Sequence, residues 1–169
     1  MPRAKKPKRS KSRDFRDPEG NVWDSPFEWH VYVGLRDLGY SVRRTDQRDS
    51  LSYNTSIVKG VCLECGSDQV VQDRIYTPDL FVVEAESSDG EGGTEGPSVY
   101  YLECKGYLRQ DRRAQLASFA RQRKDVSVRI LFTQERKLTR TLTNIDYALK
   151  YFKWPAAAWN DGAFEWRFP

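Results

Sequence analysis

The sequence predicts an α/β protein: one mixed β-sheet flanked by helices, in a single domain that follows a basic tail. Three observations lead there. Stretches of helical and of alternating apolar periodicity succeed one another in the order helix, strands, helix, strand, helix. The 169 residues suit one domain with a sizeable core, and aromatics, at 13%, supply the large apolar side chains that such a core buries. No run approaches the roughly 18 consecutive apolar residues of a membrane span, and the N-terminus lacks the apolar stretch of a secretory signal, so a soluble intracellular protein without a membrane partner is expected.

Residues 1–13 hold Arg3, Lys5, Lys6, Lys8, Arg9, Lys11 and Arg13 and no acid. That is seven of the 28 basic residues, which leaves 21 against 24 acids, so the net charge of +4 belongs to the tail. With Pro2 and Pro7 and almost nothing apolar, residues 1–20 are expected to be disordered and to seek phosphate backbones, and the folded domain to run over 21–169.

The first helix is predicted over Pro26 to Leu38. Ser25 is placed to cap it, Pro26 suits its first position, Glu28 completes a capping box, and Gly39 stops it. Phe27, Val31, Leu35 and Leu38 follow at helical spacing. Tyr40 to Arg44 alternates like a short strand, followed by a polar stretch to Ser50. Leu51 to Val61 and Val70 to Tyr76 read as the arms of a hairpin whose tip, within 59–69, carries Cys62-Leu63-Glu64-Cys65-Gly66. Leu80 to Val83 and Val99 to Leu102 are strands separated by an acidic, Gly- and Ser-rich loop over 84–98.

A basic helix is predicted over Asp111 to Lys124, with Leu116, Phe119 and Ala120 facing inward. Val126 to Phe132 should then lie parallel to the Glu103 strand, because a strand reached through a helix crosses over. Ile145 to Phe152 reads as a further helix, and the alternation of Phe164, Trp166 and Phe168 as an edge strand.

Two short pieces carry the chemistry: Tyr76-Thr77-Pro78-Asp79 and Glu103-Cys104-Lys105-Gly106. Side chains alternate along a strand, so Glu103 and Lys105 share a face and Cys104 takes the other. If the strand through Asp79 pairs with that through Glu103, two carboxylates and an ammonium converge. Phosphodiester hydrolysis needs an activated water and neutralisation of charge on the phosphate, which Mg²⁺ supplies while taking one or two carboxylates from protein. The Cys104 backbone carbonyl is a further candidate oxygen ligand. Each residue also has a plain reading: Asp79 as a turn residue after Pro78, Glu103 and Lys105 as a solvated strand face, Glu28 as a helix cap.

Pro78-Asp79 followed by Glu103-x-Lys105 resembles the PD-(D/E)xK nuclease superfamily. Tyr76-Thr77-Pro78-Asp79, Glu103-Cys104-Lys105-Gly106, Asp111-Arg112-Arg113 and Val128-Arg129-Ile130-Leu131-Phe132 look more narrowly like the phage endodeoxyribonuclease I family of Holliday-junction resolvases, across most of residues 25–154 with wide insertions. The resemblance implies a restriction-endonuclease-like sheet, metal held by Asp79 and Glu103, Lys105 as the catalytic lysine, and Glu28 as a further acidic active-site residue that also reaches the metal. It implies a phage-encoded, intertwined homodimer in the host cytoplasm. Such an enzyme uses Mg²⁺ or Mn²⁺ to nick opposed strands of branched DNA during recombination, leaving 5′-phosphate ends.

On that reading the DNA backbone is met by Lys5, Lys6, Lys8 and Arg9 of the tail and by Arg43, Arg44, Arg109, Arg112 and Arg113. Three cysteines, an odd number, argue against a disulfide framework. Cys62-x-x-Cys65 is half of a structural zinc site, which two copies of the chain would complete only across a dimer axis. Two other functions compete: a restriction, mismatch-repair or transposon-end nuclease of the same superfamily, and a non-catalytic nucleic-acid binder whose carboxylates are structural.

Overall fold

The computed structural model describes residues 15–59, 69–84, 98–160 and 162–169. Strands β1 (Phe15–Arg16) and β2 (Val22–Trp23) form a short antiparallel ribbon that leads into helix α1 (Pro26–Asp37). After β3 (Ser41–Arg44), a single 3₁₀ turn (Gln47–Asp49) precedes the long hairpin of β4 (Leu51–Lys59) and β5 (Gln69–Tyr76). Strands β6 (Leu80–Val83) and β7 (Val99–Lys105), helix α2 (Gln110–Gln122) and strand β8 (Val128–Phe132) follow. Helix α3 (Asn144–Tyr147) continues into a π-helical turn (Ala148–Phe152), and β9 (Ala156–Ala158) completes the order.

The central sheet has the order β3-β6-β7-β8-β9. It is mixed: β3, β6 and β7 run antiparallel in turn, whereas β7, β8 and β9 are parallel. The expected parallel pairing of β7 with β8 is thus present. The β4–β5 hairpin stands apart as its own two-stranded sheet. Its base reaches α2, where the Asn54 amide donates to Gln122 Oε1 at 2.8 Å and Ser118 Oγ donates to the Asn54 carbonyl at 3.2 Å.

The alternation of β7 divides the core into two layers. Tyr100, Leu102 and Cys104 face α1, packing with Val31, Leu35, Leu80, Val82, Leu131 and Ala157. Tyr101 faces the other side, where Val128, Ile130, Phe132 and Ala156 meet Leu116, Phe119 and Ala120 of α2 together with Phe152 and Trp154. A sheet covered on both faces explains why β8 is apolar almost throughout rather than alternating.

Helix α1 owes its limits to its ends. Ser25 Oγ accepts from the Glu28 amide at 3.2 Å. Gly39, at φ +89°, ends the helix in the left-handed region, with its N–H donating to the Arg36 carbonyl and that of Tyr40 to the Leu35 carbonyl. This double closure satisfies carbonyls that the helix leaves unpaired. Gly34 serves a different need: a Cβ there would come within 2.6 Å of the Trp159 ring.

Three expectations need correction. The described fold begins at Phe15, earlier than residue 21, because Phe15 packs on Trp29 and the Asp17 carboxylate is buried within the ribbon turn. Phe164 to Phe168 is not a strand; Phe164 stacks on Trp159 and meets Trp166 edge-on, and only Arg167 bridges to Ala156. The strand at that edge is the alanine run Ala156–Ala158. The helix expected over Ile145 to Phe152 is α-helical for four residues and then widens into a π turn that ends at Lys153, in the left-handed region at φ 58°.

Candidate active site

Asp79 lies one residue before β6 and Glu103 near the end of β7. The register pairs Leu80 with Leu102, so one further step sets Asp79 opposite Glu103, and residues directly opposite on an antiparallel pair share a face. The turn that carries Asp79 is pinned from β3's side: Thr45 Oγ1 donates to the Pro78 carbonyl, and the Thr45 N–H reaches the Asp79 carbonyl at 3.3 Å. Asp79 Oδ2 in turn accepts from the Cys104 N–H at 2.7 Å, tying the start of β6 to β7.

Lys105 closes the group. Its Nζ donates to Glu103 Oε1, to Asp79 Oδ2 at 3.3 Å and to the Cys104 carbonyl at 3.2 Å. Burial alone would favour loss of the lysine proton, but the Glu103 and Asp79 carboxylates outweigh it and hold the ammonium above its ordinary value. Burial, and then the neighbouring Glu103 carboxylate, push the Asp79 carboxyl well above the usual range.

Glu28 belongs to the same place. It lines a cavity of about 300 Å³ together with Asp24, Tyr76, Asp79, Glu103, Lys105 and Arg112. Its side chain is buried and accepts from the Asp24 N–H at 3.3 Å, one residue before the cap expected for a capping box. Burial, followed by the Asp24 carboxylate, raises the Glu28 pKa against the pull of Lys105 and Arg44. Capping therefore explains the Ser25 contact but not the position of the Glu28 carboxylate.

Two members of the site escaped the sequence reading. Tyr76 donates its hydroxyl to Glu103 Oε2 at 2.6 Å, with its ring held by Phe119 and Trp154. Burial and the Glu103 charge keep that hydroxyl protonated. The signal was present, since Tyr76 ends a strand three residues before Asp79. Thr45 is the other, and nothing in its local sequence marks it.

The candidate DNA contacts fall into distinct settings. Arg112 alone among them lines the cavity, its guanidinium 2.9 Å from Gln115 Oε1. Arg43 is occupied by Asp49, which it meets in two bonds of 2.7 and 2.8 Å, and lies over the Phe81 ring. Arg44 donates to the Val22 carbonyl at 2.6 Å and covers Trp23. Arg109 pairs with Asp111 at 3.4 Å, and Arg113 Nε donates to the Leu108 carbonyl at 3.0 Å. Lys5, Lys6, Lys8, Arg9, Cys62, Cys65 and the acidic loop from 85 to 97 lie outside the described residues. Cys104 is a free, buried thiol whose pKa burial pushes far up, consistent with a small core residue.

The donors that meet here are all oxygens: the Asp79, Glu103 and Glu28 carboxylates and the Cys104 carbonyl. That chemistry suits Mg²⁺ or Mn²⁺ and not a soft metal. Among the described residues no cluster of three or more His, Cys, Asp or Glu side chains forms a ready-made cage. Mg²⁺ does not require one, since it keeps several waters and takes few protein ligands. The donor set fits. No family model, curated protein or solved structure gives a significant match to this chain. Among the described residues no helix is long and apolar enough to cross a membrane.

Proposed function

We propose that this protein is a metal-dependent endodeoxyribonuclease of the PD-(D/E)xK type that nicks branched DNA as a homodimer, in the manner of phage Holliday-junction resolvases. The observation that carries the reading is the charge balance of the cavity. Asp24, Glu28, Asp79 and Glu103 stand against Lys105 and Arg112, two more negative than positive groups around a buried carboxylate pair. A protein with only structural use for these residues would gain from neutralising them, because like charges held together out of water destabilise one another. A divalent cation would offset the surplus, and the bound cation with Lys105 and Arg112 would then attract a phosphate.

Mg²⁺ bound by Asp79 and Glu103 supplies water activation and neutralises charge on the scissile phosphate. The chain's own residues do the rest. Tyr76 and the Cys104 N–H fix the two carboxylates in orientation. Lys105, within reach of both, offsets charge that grows on the phosphate oxygens. Glu28, with its raised pKa, is placed to hold or hand on a proton at the cavity's far wall, and Arg112 offers its donors to a phosphate entering from α2. The choice of branched DNA rests on the likeness of the Tyr76–Asp79, Glu103–Gly106 and Asp111–Arg113 motifs to the resolvase family.

The test is cutting of a synthetic four-way junction against a linear duplex of matching sequence, with Mg²⁺ and with EDTA. The expected result is paired nicks with 5′-phosphate ends on the junction, in Mg²⁺ only. Equal cutting of both substrates would select another nuclease of the superfamily. Tight binding with no cutting in Mg²⁺ or Mn²⁺ would leave a non-catalytic binder.

A further inference from the structure

We propose that a second cavity, walled from the first by the start of α1, receives an unstacked base of single-stranded DNA beside the branch. This proposal rests on the nuclease reading for its setting but on separate residues for its substance. The cavity measures about 360 Å³, within the span of small-ligand pockets. Its sides are Trp23, Trp29 and Tyr32, with Arg36 and Arg44 at its rim.

The two cavities are back to back. Trp23 lines one and Asp24 the other; Trp29 lines one and Glu28 the other. Consecutive residues are about 3.8 Å apart along the chain, so a strand lying in the carboxylate cavity passes within one helix width, about 10 Å, of the aromatic one. On α1, Trp29, Tyr32 and Arg36 follow at spacings of three and four, which puts them on one face.

The chemistry of that face matches a nucleotide. Trp29 and Tyr32 are half-buried and line the cavity, Tyr32 packing on Trp23 at 5.0 Å with Arg36 over its ring at 5.5 Å, whereas Trp23 is held in place, its Nε1 donating to Asp17 Oδ2 at 3.0 Å. Flat aromatic surface of this kind stacks bases of any sequence. Arg36, which donates to Tyr32 Oη at 3.3 Å, and Arg44, which donates to the Val22 carbonyl, are exposed cations beside it whose remaining donors suit the flanking phosphates. Acids are present, but Asp17 is consumed: its two oxygens accept from the N–H groups of Glu19 and Asn21, from Asn21 Nδ2 and from Trp23. Glu19 is exposed on the turn. Phe15, the first described residue, lies with its ring 5.6 Å from that of Trp29.

The test uses the full chain in EDTA and a 20-nucleotide oligothymidine carrying 5-iododeoxyuridine, crosslinked by light and mapped by mass spectrometry, with anisotropy titration of a fluorescein-labelled copy. Crosslinks at Trp29 or Tyr32 are expected. Trp29→Ala should weaken binding about tenfold and Trp29→Phe much less, in line with the strength of base–aromatic stacking. Should Trp29→Ala fail to fold, exposed Arg36→Ala carries the test, with a loss of about threefold and a shallower salt dependence. Crosslinks confined to other surfaces, with affinity unchanged in Arg36→Ala, would overturn the proposal. So would crosslinks that appear only after residues 1–13 are deleted, since the chain's own tail would then be the occupant. No arm depends on cutting. A protein that crosslinks here yet never cuts a junction loses the nuclease reading alone; one that cuts but crosslinks elsewhere loses this inference alone.

Discussion

Strands β6 and β7 carry an ion cluster at each end, and the two clusters differ in charge balance. At the Val83 and Val99 end, Arg129 meets Glu84 in two bonds of 2.8 and 3.1 Å, donates to Ser98 Oγ at 3.1 Å, and lies 3.7 Å from the centre of the Tyr100 ring. Among the described residues one cation faces one anion there, and both Glu84 oxygens have a partner. At the Leu80 and Lys105 end, Lys105 is shared between Asp79 and Glu103, with Glu28 and Asp24 in the same cavity. Among the described residues the first cluster is matched and the second has more acids than bases. A pair that closes on itself supports the fold; one that does not is the better candidate for a functional site.

The sharpest way to break this contrast is to exchange the roles. Asp79→Asn and Lys105→Ala should each lower Mg²⁺-dependent junction cutting by about 10³-fold while DNA binding in EDTA persists, read by single-turnover cleavage and anisotropy. Arg129→Ala should do the reverse, costing about 3 kcal/mol in urea unfolding because Glu84 loses its partner, with cutting per folded molecule kept. A folded Arg129→Ala protein unable to cut would erase the distinction.

Next in size is the effect of the surplus charge on stability. Mg²⁺ at about 100 times its dissociation constant should stabilise the native protein by about 2.7 kcal/mol, visible as a rise in melting temperature. Glu28→Gln should be more stable than the parent in EDTA by about 1 kcal/mol, since it relieves repulsion, and should cut more slowly. A Glu28→Gln protein less stable in EDTA would return Glu28 to a capping role.

Tyr76→Phe keeps the ring against Phe119 and Trp154 and removes only the bond to Glu103. A hydrogen bond to a charged group is worth about 1.5–3 kcal/mol, so unfolding should show a loss of that order, and cutting per folded molecule should fall at least about tenfold as Glu103 loses its orientation. The smallest effect belongs to the Arg43–Asp49 pair, whose guanidinium is more exposed than Arg129 or Lys105. Its bonds to Arg43 hold the Asp49 carboxyl down at about 2, from 3.8. The depressed pKa adds stability that is complete above about pH 4 and lost as pH falls towards 2. Asp49→Asn should therefore be less stable than the parent at pH 6, by about 1 kcal/mol given the half-exposed guanidinium, and the gap should close through that window in thermal melts.

Much of this arrangement was legible in the sequence because it depends on local period and pairing. The alternation Leu102, Glu103, Cys104, Lys105 assigns faces without reference to the rest of the chain, and Ser25 with Gly39 brackets α1 by backbone chemistry. What escaped depends on distant packing. Ala156–Ala158 has no strand propensity of its own; it becomes β9 because β8 offers an edge and the Ile130 N–H needs the Pro155 carbonyl at 2.9 Å. Phe164, Trp166 and Phe168 alternate as a strand would, yet Trp166 is turned towards Arg129 and Tyr100 instead. Thr45 holds the Asp79 turn across 33 residues of sequence. Glu28 shows the limit most clearly: its cap reading and its cavity reading use the same residue, and only the third dimension separates the carboxylate from the helix start.

The contact between Gly34 and Trp159 bears on any attempt to shorten the protein. Residues after β9 look dispensable, being partly exposed and outside the main sheet. The indole of Trp159 nevertheless rests against the backbone of α1 at Gly34, where any larger side chain would collide, and stacks on Phe164 behind it. That helix carries Glu28 on one side and Trp29 on the other. Trimming the last eleven residues would remove the brace from the helix that serves both cavities, so a truncated chain would be expected to lose function before it loses its fold.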